Sequence, residues 1–127
     1  MTETTGTEAR AVRVMLVEDH ADFRRLLAAV VGRQPDMEVV AQAGSMGEAR
    51  ARISPDGCDV TVLDMGLPDG DGLGLVCELR QANPSIRIFV ISSTAETRHP
   101  GDAVGAGADG IIDKMDAPEE MFEAIRG

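Results

Sequence analysis

The chain has 127 residues, enough for one domain with a core of its own. Twenty-two acidic side chains against twelve basic ones give a formal charge of −10, which argues against binding to phosphate backbones or anionic membrane surfaces. No apolar stretch approaches the roughly 18 residues that a membrane span requires.

Residues 1–10 are polar and lack the apolar centre of a secretory signal. They predict a disordered tail on a cytoplasmic protein, with a single domain over 11–127. Val12–Val17 is an apolar run interrupted only by Arg13 and reads as a buried strand. Phe23, Leu26, Leu27, Val30 and Val31 recur at the spacing of one helical face. Asp22 suits the positive end of that helix, and Gln34-Pro35-Asp36 stops it. Residues 38–41 predict a second strand. Ser45, with Glu48 three residues on, predicts a capped helix running to about Ile53, which Ser54-Pro55-Asp56-Gly57 ends. A third strand over 59–63 precedes a helix marked by Leu73, Val76 and Leu79 that stops near Asn83-Pro84. Residues 86–91 form a strongly apolar fourth strand. A short helix over 102–106 is disfavoured by about 1 kcal/mol at each of Gly105 and Gly107. Residues 109–113 are the fifth strand. Pro118 suits the first position of a last helix with Met121, Phe122 and Ile125 on one face. That helix stops about one turn short of a comfortable length, so the expectation is either a natural end here or a cut before an output domain.

Continuously apolar strands alternating with amphipathic helices predict an α/β fold, a doubly wound five-stranded parallel sheet with helices on both faces and right-handed crossovers. Such a sheet carries its chemistry on its carboxyl edge. Asp64 closes the run Val60-Thr61-Val62-Leu63 and opens the turn Met65-Gly66-Leu67-Pro68-Asp69-Gly70. Glu18-Asp19 ends the run Val14-Met15-Leu16-Val17. Lys114, the one lysine of the chain, follows Ile111-Ile112-Asp113. Three carboxylates converging from two strand ends stay ionised together only beside a cation, and hard oxygen donors with a water-filled position suit Mg²⁺. An ammonium there is poorly placed as a base and well placed to neutralise the oxygens of a transferring phosphoryl group. Ser92, ending the adjacent strand, can donate a hydrogen bond to such an oxygen. Asp64 can be the nucleophile, because a carboxylate can carry an acyl phosphate.

Each residue also has a plainer reading. Asp64 alone can cap a turn, Glu18 and Asp19 can favour a helix dipole, Ser92 has Ser93 and Thr94 beside it, and Lys114 can be a surface charge. His20 and His99 read as solvent-facing, with His20 close enough to the acidic pair that it could tune access to it. Cys58 and Cys77, without metal-ligand spacing, read as buried free thiols. Asp69-Gly70-Asp71-Gly72 lacks the rest of a calcium loop. A metal-dependent hydrolase would need a separate general base and a substrate pocket, and neither is written in the sequence.

The segments Leu16-Val17-Glu18-Asp19-His20, Val62-Leu63-Asp64-Met65-Gly66-Leu67-Pro68-Asp69-Gly70-Asp71-Gly72-Leu73, Val90-Ile91-Ser92-Ser93 and Gly107-Ala108-Asp109-Gly110-Ile111-Ile112-Asp113-Lys114 resemble those of bacterial response-regulator receiver domains. The likeness keeps the order and spacing of the four motifs and covers residues 12–126. It implies a flavodoxin-like sheet of order 2-1-3-4-5 and a two-component signalling role. Asp64 would accept a phosphoryl group from a sensor histidine kinase. Asp19 and Asp64 would ligate Mg²⁺ directly, Glu18 through water, and the backbone carbonyl of Gly66 would be a further ligand. Ser92 resembles the switch hydroxyl and Lys114 the family's lysine. The domain would assist its own phosphorylation and dephosphorylation, yet act as a signalling domain and not as an enzyme. Its output would be conformational, through residues 102–106, the fifth strand and the last helix.

Residues 37–43 and the compact segment 92–107 resemble the NarL/FixJ-type branch. Its members usually append a C-terminal helix-turn-helix output domain, absent from this chain, so control of transcription is implied. A phosphorylation-dependent homodimer is compatible with that role; binding of nucleic acid or membrane by this domain itself is not expected. Two departures stand out. Met115 replaces the proline that often follows the lysine, so a cis bond is not expected there. Ile111 replaces an aromatic residue that swings inward on activation. The missing aromatic residue and the weak helix over 102–106 leave open an alternative, a phosphorylation-independent docking domain with a receiver fold. Residues 93–107 are expected to be the most mobile part of the folded domain.

Overall fold

The computed structural model describes residues 11–54, 57–67, 70–92 and 105–127. The tail predicted over 1–10 lies outside them, as do His99 and most of the segment 93–107. Five parallel strands, β1 (Val12–Val17), β2 (Met37–Ala43), β3 (Val60–Asp64), β4 (Arg87–Ser92) and β5 (Gly110–Asp113), form one sheet. Their order is β2-β1-β3-β4-β5, the expected 2-1-3-4-5. Helices α1 (Ala21–Gly32), α2 (Met46–Arg50), α3 (Gly72–Ala82) and α4 (Glu119–Arg126) cover its two faces. No helix among the described residues is long and apolar enough to cross a membrane.

In β1, β3, β4 and β5, alternate residues enter opposite core layers, whereas the edge strand β2 leaves Glu38, Val40 and Gln42 exposed. Val14 and Leu16 of β1, Val62 of β3 and Phe89 and Ile91 of β4 pack with Leu27 and Val31 of α1 and Met121 and Ile125 of α4. Met15, Val17, Leu63, Ile88 and Val90 pack instead with Met46 and Ala49 of α2 and Leu75, Val76 and Leu79 of α3. Burial on both faces explains why the strands read as unbroken apolar runs.

Several local expectations are corrected. Leu26 is 57% exposed, because α1 buries a narrow stripe through Leu27 and Val31. Helix α2 ends at Arg50 and not near Ile53, since Arg52 and Ile53 donate to carbonyls only three residues back, a tighter turn. Its start follows the sequence: Ser45 Oγ accepts from Glu48 N–H, and Glu48 Oε1 accepts from Gly44 N–H. Pro118 precedes α4 as its cap instead of opening it, and its carbonyl accepts the Phe122 N–H. The cis peptide among the described residues is Ala117–Pro118. Cys77 is exposed on α3, not buried; Cys58 is buried. Beyond Asp64, a short antiparallel hairpin pairs Gly66–Leu67 with Gly70–Asp71, which the turn-rich sequence did not suggest.

Gly72 opens α3 against the end of β3. A Cβ there would stand 2.5 Å from Leu63 Cδ1 and 3.1 Å from the Asp64 carbonyl oxygen, and Leu63 is fully buried. Gly32, at the end of α1, has nothing within 4 Å of such an atom. Gly72→Ala should therefore destabilise the domain by about 1–3 kcal/mol. Gly32→Ala should be neutral or stabilising by up to about 1 kcal/mol. Urea denaturation of both variants checks this; equal effects would contradict the close approach of α3 to β3.

Candidate functional site at the carboxyl edge of the sheet

Strand register brings the candidate residues together. Val17 is level with Leu63, so Glu18 and Asp64, each one residue further on, leave adjacent strands side by side. Asp64 is level with Ile91, and the next residue, Ser92, is level with Asp113 of β5. Lys114 follows Asp113 directly. Among the described residues, the buried polar or charged side chains are Glu18, Thr61, Asp64 and Ser92. Three of these four stand on one edge of the sheet, where desolvation of polar groups has to serve some purpose.

Glu18 and Asp64 are 3% and 2% exposed, while Asp19 faces solvent. Carboxylate oxygens of all three lie within 4.8 Å of one another. Lys114 Nζ stands 3.5 Å from Glu18 Oε1 and 3.6 Å from Asp64 Oδ1. The same ammonium lies over the Phe23 ring, 5.5 Å from its centroid, within the range of a cation–π contact. Gly66 sits two residues beyond Asp64, in the hairpin that holds the chain after the strand.

The loop after β1 is pinned by its own polar atoms. Glu18 N–H donates to the Ala43 carbonyl, extending the β1–β2 ladder past the last paired residues. Glu18 Oε2 accepts the His20 N–H at 3.0 Å, and Arg24 Nη1 donates to the Glu18 carbonyl at 2.7 Å. His20 caps α1, its Nδ1 accepting the Phe23 N–H. On the β3 side, Met65 N–H donates to the Ile91 carbonyl and Gly72 N–H to the Met65 carbonyl. The reading of His20 as merely solvent-facing is thus incomplete: its side chain is exposed but orders the first turn of α1. Phe23 and Arg24 were not among the candidate site residues. Phe23 carries the periodicity of a core residue and Arg24 that of a surface one, and nothing in either pattern points to the site.

Burial raises the pKa of Glu18 to about 7, and the nearby Asp64 charge pushes the same way. The His20 N–H and the Lys114 ammonium oppose them without cancelling the effect. Among the described residues, the Lys114 ammonium faces three carboxylates, an excess of negative charge when all three are ionised. The donors are all oxygens, two buried and one open to solvent, with no thiolate or imidazole in the cluster. That set fits a hard divalent cation that retains water, and Mg²⁺ in particular.

Residues 14–126 match the response regulator receiver domain family. Over 115 residues the chain is 38% identical to the DNA-binding transcriptional activator DevR/DosR of Mycobacterium tuberculosis, covering 91% of this chain and 53% of that protein. Over 114 residues it is 34% identical to the transcriptional regulatory protein UhpA of Escherichia coli, covering 90% and 57%. The chain spans about half the length of the curated relatives it matches. Among solved structures, the response regulator domain of Thermotoga maritima CheB aligns with a TM-score of 0.82 at 28% identity over 92% of this chain and 95% of that one. A LuxR-family two-component response regulator from Aurantimonas sp. SI85-9A1 aligns with a TM-score of 0.80 at 30% identity, over 91% and 83%. With this fold, this acidic edge and these relatives, the chain belongs to the response regulator receiver domain family and is a signalling receiver of the two-component type.

Proposed function

We propose that Asp64 accepts a phosphoryl group from a sensor histidine kinase, and that Lys114 and Ser92 respond to its arrival. The observation that carries this reading is the Lys114 ammonium, held 3.5 Å from Glu18 and 3.6 Å from Asp64 beside a cluster of three carboxylates. Glu18, Asp19 and Asp64, with the backbone carbonyl of Gly66, would hold Mg²⁺, which when bound neutralises charge on the phosphoryl oxygens. An Asp64 carboxylate oxygen attacks phosphorus, the bond from phosphorus to the donor's leaving atom breaks, and the leaving group keeps the electron pair. The dianionic product sits against the Lys114 ammonium and the Ser92 hydroxyl, whose N–H and O–H groups donate to it. Glu18, held by the His20 N–H and by Lys114, keeps the ammonium directed into the site. Asp19 is the one exposed acid of the three and marks the side from which a donor approaches. Water entering by the same route would return Asp64 to its free form.

The names of the relatives support control of transcription through a DNA-binding output domain, and a cytoplasmic setting fits that reading. A homodimer formed on phosphorylation fits the same reading. Ile111, half-buried against the core where an aromatic toggle would stand, favours a second reading, docking without phosphorylation. Incubation with acetyl phosphate and Mg²⁺ followed by intact mass separates the two. The expected result is one phosphoryl adduct, absent in Asp64→Asn and formed on the order of a hundredfold more slowly in Lys114→Ala. A wild-type chain that takes no adduct would contradict phosphoryl acceptance and support the docking reading.

The raised pKa of Glu18 makes a second prediction. The folded chain holds this proton more tightly than the unfolded one, whose glutamate titrates near 4.5. The resulting stabilisation is complete below about 4.5 and is lost as pH rises to about 7. In chelator, Glu18→Gln should therefore gain melting temperature relative to wild type as pH is raised between those limits. Saturating Mg²⁺ should shrink that advantage above pH 7. A difference that does not change with pH would contradict the burial of an ionisable Glu18.

A further inference from the structure

We propose that Phe23 is a positioning residue for Lys114, an inference that rests on the phosphoryl-accepting reading and extends it to α1. Lysine carries its charge on a flexible four-carbon stem, and Lys114 is the one lysine of the chain. Its side chain is 25% exposed, so solvent competes for the ammonium. The ring of Phe23 lies under that same ammonium, 5.5 Å from Nζ to the ring centroid, and itself packs against the core layer of Val14, Leu16 and Ile112. A rigid aromatic face backed by a packed core is a firm support for a cation.

The contacts close a circuit. Lys114 Nζ meets Glu18 Oε1, and Glu18 Oε2 accepts the His20 N–H. His20 Nδ1 accepts the Phe23 N–H, and the Phe23 ring returns to Lys114. The first turn of α1 is therefore ordered by the same carboxylate that faces the ammonium. An aliphatic residue at position 23 would keep the packing against the core and lose the attraction of the ring quadrupole for the charge. The ammonium would then spend more time in solvent and less between Glu18 and Asp64, and phosphoryl transfer to Asp64 would slow.

The single lysine makes this directly observable, since ¹³C-lysine labelling yields one side-chain spin system. In the wild-type domain the ring current of Phe23 should shift the Lys114 ε-protons upfield of their free-lysine position. Phe23→Leu should abolish that shift and slow adduct formation from acetyl phosphate with saturating Mg²⁺ by about tenfold. Phe23→Tyr, which keeps a ring, should restore both. Wild-type ε-protons at the free-lysine position would overturn the proposal without any variant, so a Phe23→Leu chain that fails to fold does not rescue it. Phe23→Leu phosphorylated as fast as wild type would overturn the positioning role while leaving Asp64 as acceptor. A wild-type chain that takes no phosphoryl group would instead remove the parent reading, and this role with it.

Discussion

Two carboxylates buried side by side, Glu18 and Asp64, are the constraint to which the surrounding structure answers. Carboxylates removed from water and placed together disfavour one another's ionisation. Opposing this are the Lys114 ammonium at 3.5 and 3.6 Å, itself over the Phe23 ring, and the His20 N–H on Glu18. The opposition is partial, and Glu18 remains raised to about 7. A receiver that fully satisfied its acids would have little left to gain from a cation or a phosphoryl group. On the proposed reading, the residual imbalance is what a bound cation or an arriving phosphoryl group would relieve.

Register delivers the chemistry with little help from long loops. Parallel strands leaving the sheet on one edge place Glu18, Asp64, Ser92 and Lys114 on successive strand ends. A slip of one residue in any ladder would turn a site residue toward the wrong core layer. Both core layers oppose such slips, because β1, β3, β4 and β5 bury alternate residues against helices on both faces. Gly72 completes the arrangement from the β3 side by letting α3 approach the Asp64 carbonyl more closely than a Cβ would allow. On the β1 side, α1 does the equivalent through Arg24 on the Glu18 carbonyl and Phe23 on Lys114.

The sheet order and the acidic edge were legible in the sequence for identifiable reasons. Val60-Thr61-Val62-Leu63 is continuously apolar because both faces are covered, and Asp64 announces itself by ending that run in front of glycine-rich turn residues. Glu18-Asp19 and Lys114 end other runs in the same way. What stayed hidden were contacts between elements distant in sequence. The spacing of Phe23 from Leu27 marks it as a core residue, and nothing local says that its ring meets an ammonium. Leu26 shares the helical periodicity of Leu27, yet only a narrow stripe of α1 reaches the sheet. Cys77 lies between buried Val76 and Leu79 and is nonetheless exposed, since a helix turns about 100° per residue. The hairpin at Gly66–Leu67 and Gly70–Asp71 is too short to leave a periodic signal.

On the proposed reading, Glu18, Asp19 and Asp64 gather around a divalent cation with Lys114 opposite. The most direct test is diffraction from crystals grown with Mn²⁺ in place of Mg²⁺, recorded at the manganese absorption edge. The expected result is one strong anomalous peak about 2 Å from carboxylate oxygens of Asp19 and Asp64, with Lys114 Nζ facing Glu18 and Asp64. No peak on this edge of the sheet, or a Lys114 side chain turned away from both acids, would contradict it.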